Sequence, residues 1–340
     1  MTFNAEQINA MIEIVNKRGM AALKNAKDMI LLYWKEDSSL AKALQYVSNV
    51  TLQDALPVFP ALISLSCEAV GGNPEKTVPF GEAIVLISAA ADLHDDIIDK
   101  SFTKGDKQTV LGKFGRYVAL LAGDALLSHG IMHLCRESKR IETEKGNLIN
   151  NLLMDGITEI CVAEGLEGQL RERYLDASPD EYSEVIRHKA VVPGLAMKIG
   201  AILGNGSSRY IAALGQIGRT YGIGSMIIEE FADIFEPDEL RNRLKNGCPP
   251  LPLIYALHTP ESRKALLPLL VSNFPKRAHD KIIQFTINSC EVQRYQKTIT
   301  SLINNELLKI RQSAKWKKQG EIEILLRALL DSVNHIYSFS

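Results

Sequence analysis

The sequence predicts an all-α fold, on three observations. Apolar residues recur at spacings of three and four along almost the whole chain, which is the signature of helices with one buried face. Strand-like alternation of period two is hard to find. Where the helical pattern fails, the residues are short breakers rather than long linkers. The periodicity places helices at about 4–34, 37–47, 52–70, 79–100, 107–139, 145–175, 179–204, 207–235, 260–273, 276–311 and 319–337.

Between these stretches stand Gly71-Gly72-Asn73-Pro74, Ser178-Pro179, Gly204-Asn205-Gly206 and Cys248-Pro249-Pro250-Leu251-Pro252. Ser178-Pro179-Asp180-Glu181 reads as a helix start, with Ser as N-cap, Pro in the first turn and Glu at the capping-box position. A length of 340 residues gives a prior of two domains at about 150 residues each. No Gly/Ser-rich or Pro-rich linker divides the chain and no short repeat is visible, so residues 1–340 are expected to form one large helical domain.

Composition excludes several functional classes. Thirty-nine basic residues face 40 acidic ones for a net charge of -1, without the basic footprint of a nucleic-acid binder. The longest apolar run, Ala83 to Leu93 broken only by Ser88 and Asp92, is about half a membrane span, so no transmembrane segment is expected. The amino terminus has no continuous apolar stretch of the kind found in secretory signals. Five cysteines, at 67, 135, 161, 248 and 290, are odd in number and scattered, as expected of reduced thiols in the cytoplasm. The basic stretch Lys309 to Lys318 reads as a solvated helix face or loop, the alternative being a cap over an anionic ligand.

The chemistry enters with carboxylates where a core helix should be apolar. Ile84 to Ala91 is apolar on nearly every side, yet the segment ends in Asp92, Asp95, Asp96 and Asp99. Positions 92, 95/96 and 99 share one helical face, where like charges repel. Acids also favour the start of a helix, not its end. A cation is therefore required, and clustered carboxylate oxygens suit Mg²⁺ shared with phosphate oxygens. Glu229, Glu230 and Asp233 repeat the arrangement after another apolar stretch, Tyr221 to Ile228. If the two helices pack antiparallel, both triads face one cavity.

Ala91 to Asp99 resembles the first aspartate-rich DDxxD motif of the trans-isoprenyl diphosphate synthases, and the resemblance extends over most of the chain. Leu121-Ala-Gly-Asp-Ala-Leu-Leu127 looks like that family's GDxLL segment, and Glu164-Gly-Leu-Glu-Gly-Gln169 like its GExxQ region. Tyr182 to Lys189 resembles its Y…KT helix, Glu229 to Asp233 stands at its second acid motif, and Leu251 to Leu257 matches the end of its GKxTLPxIxAL segment. The resemblance implies helices around a deep central cavity, usually in a homodimer. It implies three Mg²⁺ ions held by Asp95, Asp96, Asp99, Glu229, Glu230 and Asp233 together with the diphosphate of an allylic isoprenoid. It casts Asp95, Asp96, Asp99 and Lys189 as catalytic residues and Lys104, Gln169 and Lys189 as substrate contacts. Ionisation would give an allylic carbocation that isopentenyl diphosphate attacks. Bulky aromatics, four and five residues before the first Asp, shorten the cavity in that family. Here Ala91 and Ala90 occupy those positions, so a tail of roughly fifteen to twenty carbons or more is expected to fit, at about 1.5 Å of helix rise per residue.

The departures concern the second diphosphate. The family's GKRxRP segment aligns with Ala55-Leu-Pro-Val-Phe-Pro60, where only the proline survives. Its histidine seven residues before the first Asp falls at Ser88, and its Arg-Arg-Gly shrinks to Thr103-Lys104-Gly105. Phe-Gln before the second motif is Ser225-Met226, and Gly-Lys-x-Thr is Gly247-Cys248-Pro249-Pro250. Three readings result: a prenyl-chain synthase with an altered condensation site, a single-substrate enzyme acting on an allylic diphosphate, and a non-catalytic partner subunit. Two metal-site rivals fail. His94-Asp95 is an HD dipeptide, but it lacks the upstream histidine of the phosphohydrolases. His129 and His133 lack a third ligand nearby and read as packing residues.

Overall fold

The computed structural model describes residues 5–34, 37–173, 176–271, 278–312, 316–317 and 319–336. Helices dominate: α1 (Ala5–Tyr33), α2 (Ser39–Tyr46), α3 (Val58–Ala69), α4 (Val78–Asp99), α5 (Val110–Ser138), α6 (Thr143–Arg171), α7 (Pro179–Lys189), α8 (Val191–Leu203) and α9 (Ser208–Phe235). Six more follow: α10 (Pro237–Lys245), α11 (Leu251–Leu257), α12 (Pro260–Val271), α13 (His279–Ile287), α14 (Cys290–Gln312) and α15 (Gln319–Ile336). Sheet among the described residues is confined to one hairpin, β1 (Thr103–Lys104) paired antiparallel with β2 (Lys107–Gln108).

Most helices stand where the periodicity put them. The Ser178 capping box forms, with Ser178 Oγ accepting from Glu181 N at 3.2 Å and Glu181 Oε2 accepting from Ser178 N at 2.9 Å. The expected helix 179–204 is instead two, α7 and α8, broken at Ala190. Pro193 explains the break, because it has no N–H to offer the Lys189 carbonyl four residues back. The stretch 276–311 likewise divides at Asn288–Ser289 into α13 and α14, and its first two residues lie outside the described ones. The start expected at 52 shifts to Val58, after a π turn over Val47–Thr51. Helices α10 and α11 were not anticipated. Of the basic stretch, residues 313–315 and 318 lie outside the described residues, while Trp316 is buried.

Two apolar clusters hold these elements. The larger gathers α3, α8, α9, α14 and α15 around side chains such as Ile63, Met197, Phe231 and Leu326; the smaller joins α1, α2, α4 and α5 around Ile30, Leu44, Leu86, Leu93 and Leu126. Helix α4 runs along α5 and touches α1 and α3, whereas α9 lies against α8, α14 and α15. The α4–α5 approach depends on Gly123: a methyl there would meet the His94 ring at 2.4 Å. Helix α5 also kinks at Gly115, whose φ of 79° lies in the left-handed region open to glycine. By length and composition α5 is apolar enough to cross a membrane, a property the short run at 83–93 did not disclose. Its inner face packs on α4, and its outer face leaves Tyr117, Leu120, Leu121 and Met132 exposed.

Helices α4 and α9 are not main packing partners among the described residues, and their acid-bearing ends are bridged by side chains from α6, α7 and α10. That bridge is the candidate site.

Candidate active site

Helix α4 is buried through Phe80–Leu86 and emerges toward its end, where Asp92, Asp95 and Asp99 come to one side. It closes at Lys100 in the left-handed conformation. The acids of this first motif have unequal surroundings. Asp96, almost fully buried, lies 3.0 Å from Lys104 Nζ, and Asp92 lies 2.6 Å from the same amine. Asp99 pairs with Arg171 at the end of α6, and its backbone carbonyl accepts from Asn246 Nδ2 at 2.7 Å. Asp95 has neither a hydrogen bond nor an ion pair among the described residues. Burial, then the nearby charge of Asp99, pushes its carboxyl up to about 7, with Lys189 opposing. Burial also lifts Asp96 to about 6 against the pull of Lys104.

The second motif has the same division. Arg243 of α10 holds Asp233 Oδ2 at 2.5 Å and Glu230 Oε1 at 2.9 Å, and Glu230 Oε2 accepts from Leu251 N at 2.6 Å. Glu229 has no such partner among the described residues. Desolvation by the surrounding protein raises its carboxyl, Asp233 and Glu230 add to the rise, and Lys104 opposes it. The influence of Lys104 on both Asp96 and Glu229 places the two motifs within electrostatic reach of one another.

Between them lies Glu167, 5% exposed, which anchors three groups. Lys189 Nζ pairs with Glu167 and lies 2.9 Å from Glu164; Arg171 Nη2 lies 3.5 Å from Glu167; and the Cys248 thiol donates to Glu167 over 3.0 Å. Burial alone would raise Glu167, but Lys189, Cys248 and Arg171 outweigh it and hold the carboxyl at about 2. Lys189 is in turn held above the ordinary lysine value by Glu167 and Glu164 against the effect of burial. Every step from Asp99 through Arg171, Glu167 and Cys248 to the loop that carries Leu251 is a direct contact.

Of the residues singled out from the sequence, Asp96, Asp99, Lys104, Lys189, Glu230 and Asp233 are held by direct ion pairs, whereas Asp95 and Glu229 have none among the described residues. Gln169 does not join it: it is exposed on α6 and has no hydrogen bond among the described residues. Ala91 is exposed on the Asp95 side of α4, with half-buried Ile87 and Ser88 below it. Ala90 differs, being fully buried in the α1–α2–α5 core, so the open strip along α4 is bordered by Ala91 and not by Ala90. His133 bonds Glu82 at 2.9 Å and His129 stands edge-on to Tyr33 at 4.4 Å.

Sequence reasoning missed Arg171, Arg243, Asn246 and the bridging role of Glu167 and Cys248. Arg243 lies in a run, Arg241-Asn-Arg-Leu-Lys245, whose local pattern is that of a solvated helix. Only the tertiary fold turns one of its three cations inward.

Among the described residues no three acidic, imidazole or thiol groups converge into a ready metal cage. The donor set nonetheless fits a hard divalent cation. Asp95, half-buried, and Glu229, exposed, are carboxylates without a direct counter-cation among the described residues, and Mg²⁺ takes one or two carboxylates while sharing its other positions with water and phosphate oxygens.

Residues 40–285 match the family model of polyprenyl synthetases. A short chain isoprenyl diphosphate synthase of Methanothermobacter thermautotrophicus is 34% identical over 181 residues, 53% of this chain and 54% of the relative. A geranylgeranyl diphosphate synthase of Methanosarcina mazei is 31% identical over 191 residues, 55% and 57% of the two chains. The chain thus spans about half the length of the curated relatives it matches. The solved geranylgeranyl pyrophosphate synthetase of Pyrococcus horikoshii superposes with a TM-score of 0.80 at 21% identity, covering 96% of this chain and 99% of the other. The heptaprenyl diphosphate synthase of Staphylococcus aureus gives 0.73 at 22% identity, covering 93% and 97%. At these identities the superpositions speak to the all-α fold, and the match to the family model speaks to descent: the chain belongs to the polyprenyl synthetase family.

Proposed function

We propose that the chain is a divalent-metal-dependent prenyltransferase that ionises an allylic isoprenoid diphosphate and condenses the resulting carbocation with isopentenyl diphosphate. The observation that carries the reading is the pair Asp95 and Glu229, one carboxylate from each acid motif, neither of which has a hydrogen bond or ion pair among the described residues. The relatives named as isoprenyl and geranylgeranyl diphosphate synthases support the same chemistry.

Asp95, Asp99 and Glu229 would hold the metal, Mg²⁺ in this reading. When bound, the ion supplies positive charge to the departing diphosphate. The chain's own residues do the rest. Lys189, anchored by Glu164 and Glu167, presents an ammonium beside Asp95 that can bind a diphosphate oxygen. The tail lies along the strip of α4 that carries Ala91 and Ile87, neither of which is aromatic.

The reading includes a homodimer. Tyr117, Leu120, Leu121 and Met132 on α5 and Leu148, Met154 and Val162 on α6 are exposed apolar side chains on consecutive helices, a surface suited to a second copy. It also includes one domain over residues 1–340 and a place in the cytoplasm, for which the scattered free thiols speak.

The test is to incubate the protein with Mg²⁺ and geranyl or farnesyl diphosphate, with and without isopentenyl diphosphate, and to identify the products. A longer allylic diphosphate formed only with both substrates supports the reading. A terpene or alcohol formed without isopentenyl diphosphate shows a single-substrate enzyme. No product under either condition leaves the partner-subunit role.

A further inference from the structure

Away from the acid motifs, a cleft of about 510 Å³ opens between α6 and α8. Its walls include Leu152, Asp155 and Glu159 of α6, Leu195 and Lys198 of α8, and Arg219 of α9. Positions 152, 155 and 159 recur at three and four, so they present one face of α6 to the cleft.

Two cationic side chains cross from one helix to the next here. A methyl at Gly194 would meet Arg219 Cγ at 2.7 Å, and one at Gly215 would meet Lys198 Cε at 2.5 Å. Each glycine thus makes room for the aliphatic stem of a cation. The charged ends fare differently. Arg219 spans the cleft to Glu159, with bonds of 2.8 and 2.6 Å, and forms a closed rung. Lys198, about one turn further along α8, has neither a hydrogen bond nor an ion pair among the described residues. Asp155 lines the same cleft one turn before Glu159 and is equally without a partner.

The two open charges do not make equal demands. Asp155 is exposed and keeps its water, whereas Lys198 is half-buried and has given up part of its hydration without a counter-charge. The cleft therefore favours an anion. Asp155 disfavours a doubly charged one, such as a phosphate, by repulsion. Beside Lys198 the walls are the apolar Leu152 and Leu195. The rung begins over Gly194, four residues back along α8, which leaves about 6 Å for an apolar chain.

We propose that this cleft is a second ligand site, for a short-chain monocarboxylate. Its carboxylate pairs with Lys198, and its chain lies between Leu152 and Leu195 below the Arg219–Glu159 rung. The site is coupled to the catalytic one, because both walls lead to Lys189. Helix α6 carries Glu164 and Glu167, which hold the Lys189 amine, and Lys189 ends α7 two residues before α8 begins. An occupant that sets the spacing of α6 and α8 also sets that hold. The coupling rests on the reading of Lys189 as a diphosphate ligand; the site itself does not.

The test titrates hexanoate into the full chain, followed by saturation-transfer difference NMR, with hexylamine as the control of opposite charge. Saturable binding of hexanoate is expected, with no comparable binding of hexylamine. Lys198→Gln should weaken it at least about tenfold, the effect of losing a charged hydrogen bond. Asp155→Asn should tighten it several-fold, and decides the matter where Lys198→Gln is misfolded by circular dichroism. Absence of saturable binding, or equal affinity in the wild type and both variants, overturns the site. Because coupling between two sites is reciprocal, Mg²⁺ with inorganic pyrophosphate should change the hexanoate dissociation constant, a readout that needs no turnover. Pyrophosphate that binds and leaves that constant unchanged overturns the coupling. Pyrophosphate that does not bind removes the reading of Lys189, and the coupling with it, while binding that depends on Lys198 still upholds the site.

Discussion

The Cys248 thiol donates to Glu167 Oε1 over 3.0 Å, joining the loop after α10 to the middle of the α6 face that meets Lys189. The contact places a neutral donor beside a carboxylate already paired with Lys189 and Arg171, so the buried charge of Glu167 is compensated from three sides.

This compensation has a pH signature. Glu167 is held at about 2, below its ordinary value near 4.5, so its contribution to stability is present above about pH 4.5. It is lost as pH falls toward 2. We expect urea unfolding of the wild type to weaken over that window, and Glu167→Gln to weaken less there while being less stable at neutral pH. Parallel profiles for the two proteins would show that the carboxylate is solvated.

The two aspartates at the ends of the first motif should separate function from stability. Asp95 has no direct ion-pair partner among the described residues, and burial and Asp99 oppose its charge more than Lys189 supports it. Asp95→Asn should therefore abolish turnover with melting temperature unchanged or raised. Asp99→Ala removes the nearer partner of Arg171, leaving Glu167 at 3.5 Å, and should also cost stability, about 1.5–3 kcal/mol for a charged hydrogen bond. Equal melting temperatures for the two variants would contradict the assignment of partners.

Lys189→Ala should raise the Michaelis constant for the allylic diphosphate several-fold, and Lys189→Arg should recover part of the loss. An unchanged constant would make Lys189 a structural partner of Glu164 and Glu167 alone.

On the proposed function, isopentenyl diphosphate should bind poorly compared with the allylic substrate, because the family resemblance sets Phe59 and Ser88 at positions where cations would serve a second diphosphate. Phe59→Arg combined with Ser88→His should improve condensation, measured as kcat/KM for isopentenyl diphosphate. Tight binding by the unaltered protein would show that other residues hold it.

Ala91→Phe should shorten the longest tail accepted. A helical turn of about 5.4 Å is close to one prenyl unit, and a ring at Ala91 fills the open strip beside Asp95. The same ring at Ala90 would enter a packed core instead, and should unfold the protein before it changes the product. An unaltered longest product from Ala91→Phe would mean that the tail runs elsewhere.

The helices and both acid motifs were legible in the sequence because they depend on local spacing: i, i+4 acids after an apolar run mark a helix face whatever lies opposite. The division of α7 from α8 was legible in principle at Pro193, since the missing N–H acts on a residue only four positions away. The counter-ions were not. Arg171 reaches Asp99 across 72 positions and Asn246 reaches the Asp99 carbonyl across 147, distances over which sequence spacing carries no geometry. Ala90 and Ala91 are adjacent in sequence and opposite in environment, which follows from the roughly 100° of rotation per helical residue but needed the position of α5 to decide which one is open.

The central claim is that Asp95 and Glu229 hold a divalent ion against an allylic diphosphate. Its most direct test is the release of inorganic pyrophosphate from farnesyl diphosphate, measured with Mg²⁺ and isopentenyl diphosphate in the wild type, Asp95→Asn and Glu229→Gln. The account predicts release by the wild type that EDTA stops and that falls by at least a hundredfold in each variant. Undiminished release in EDTA, or in both variants, would contradict it.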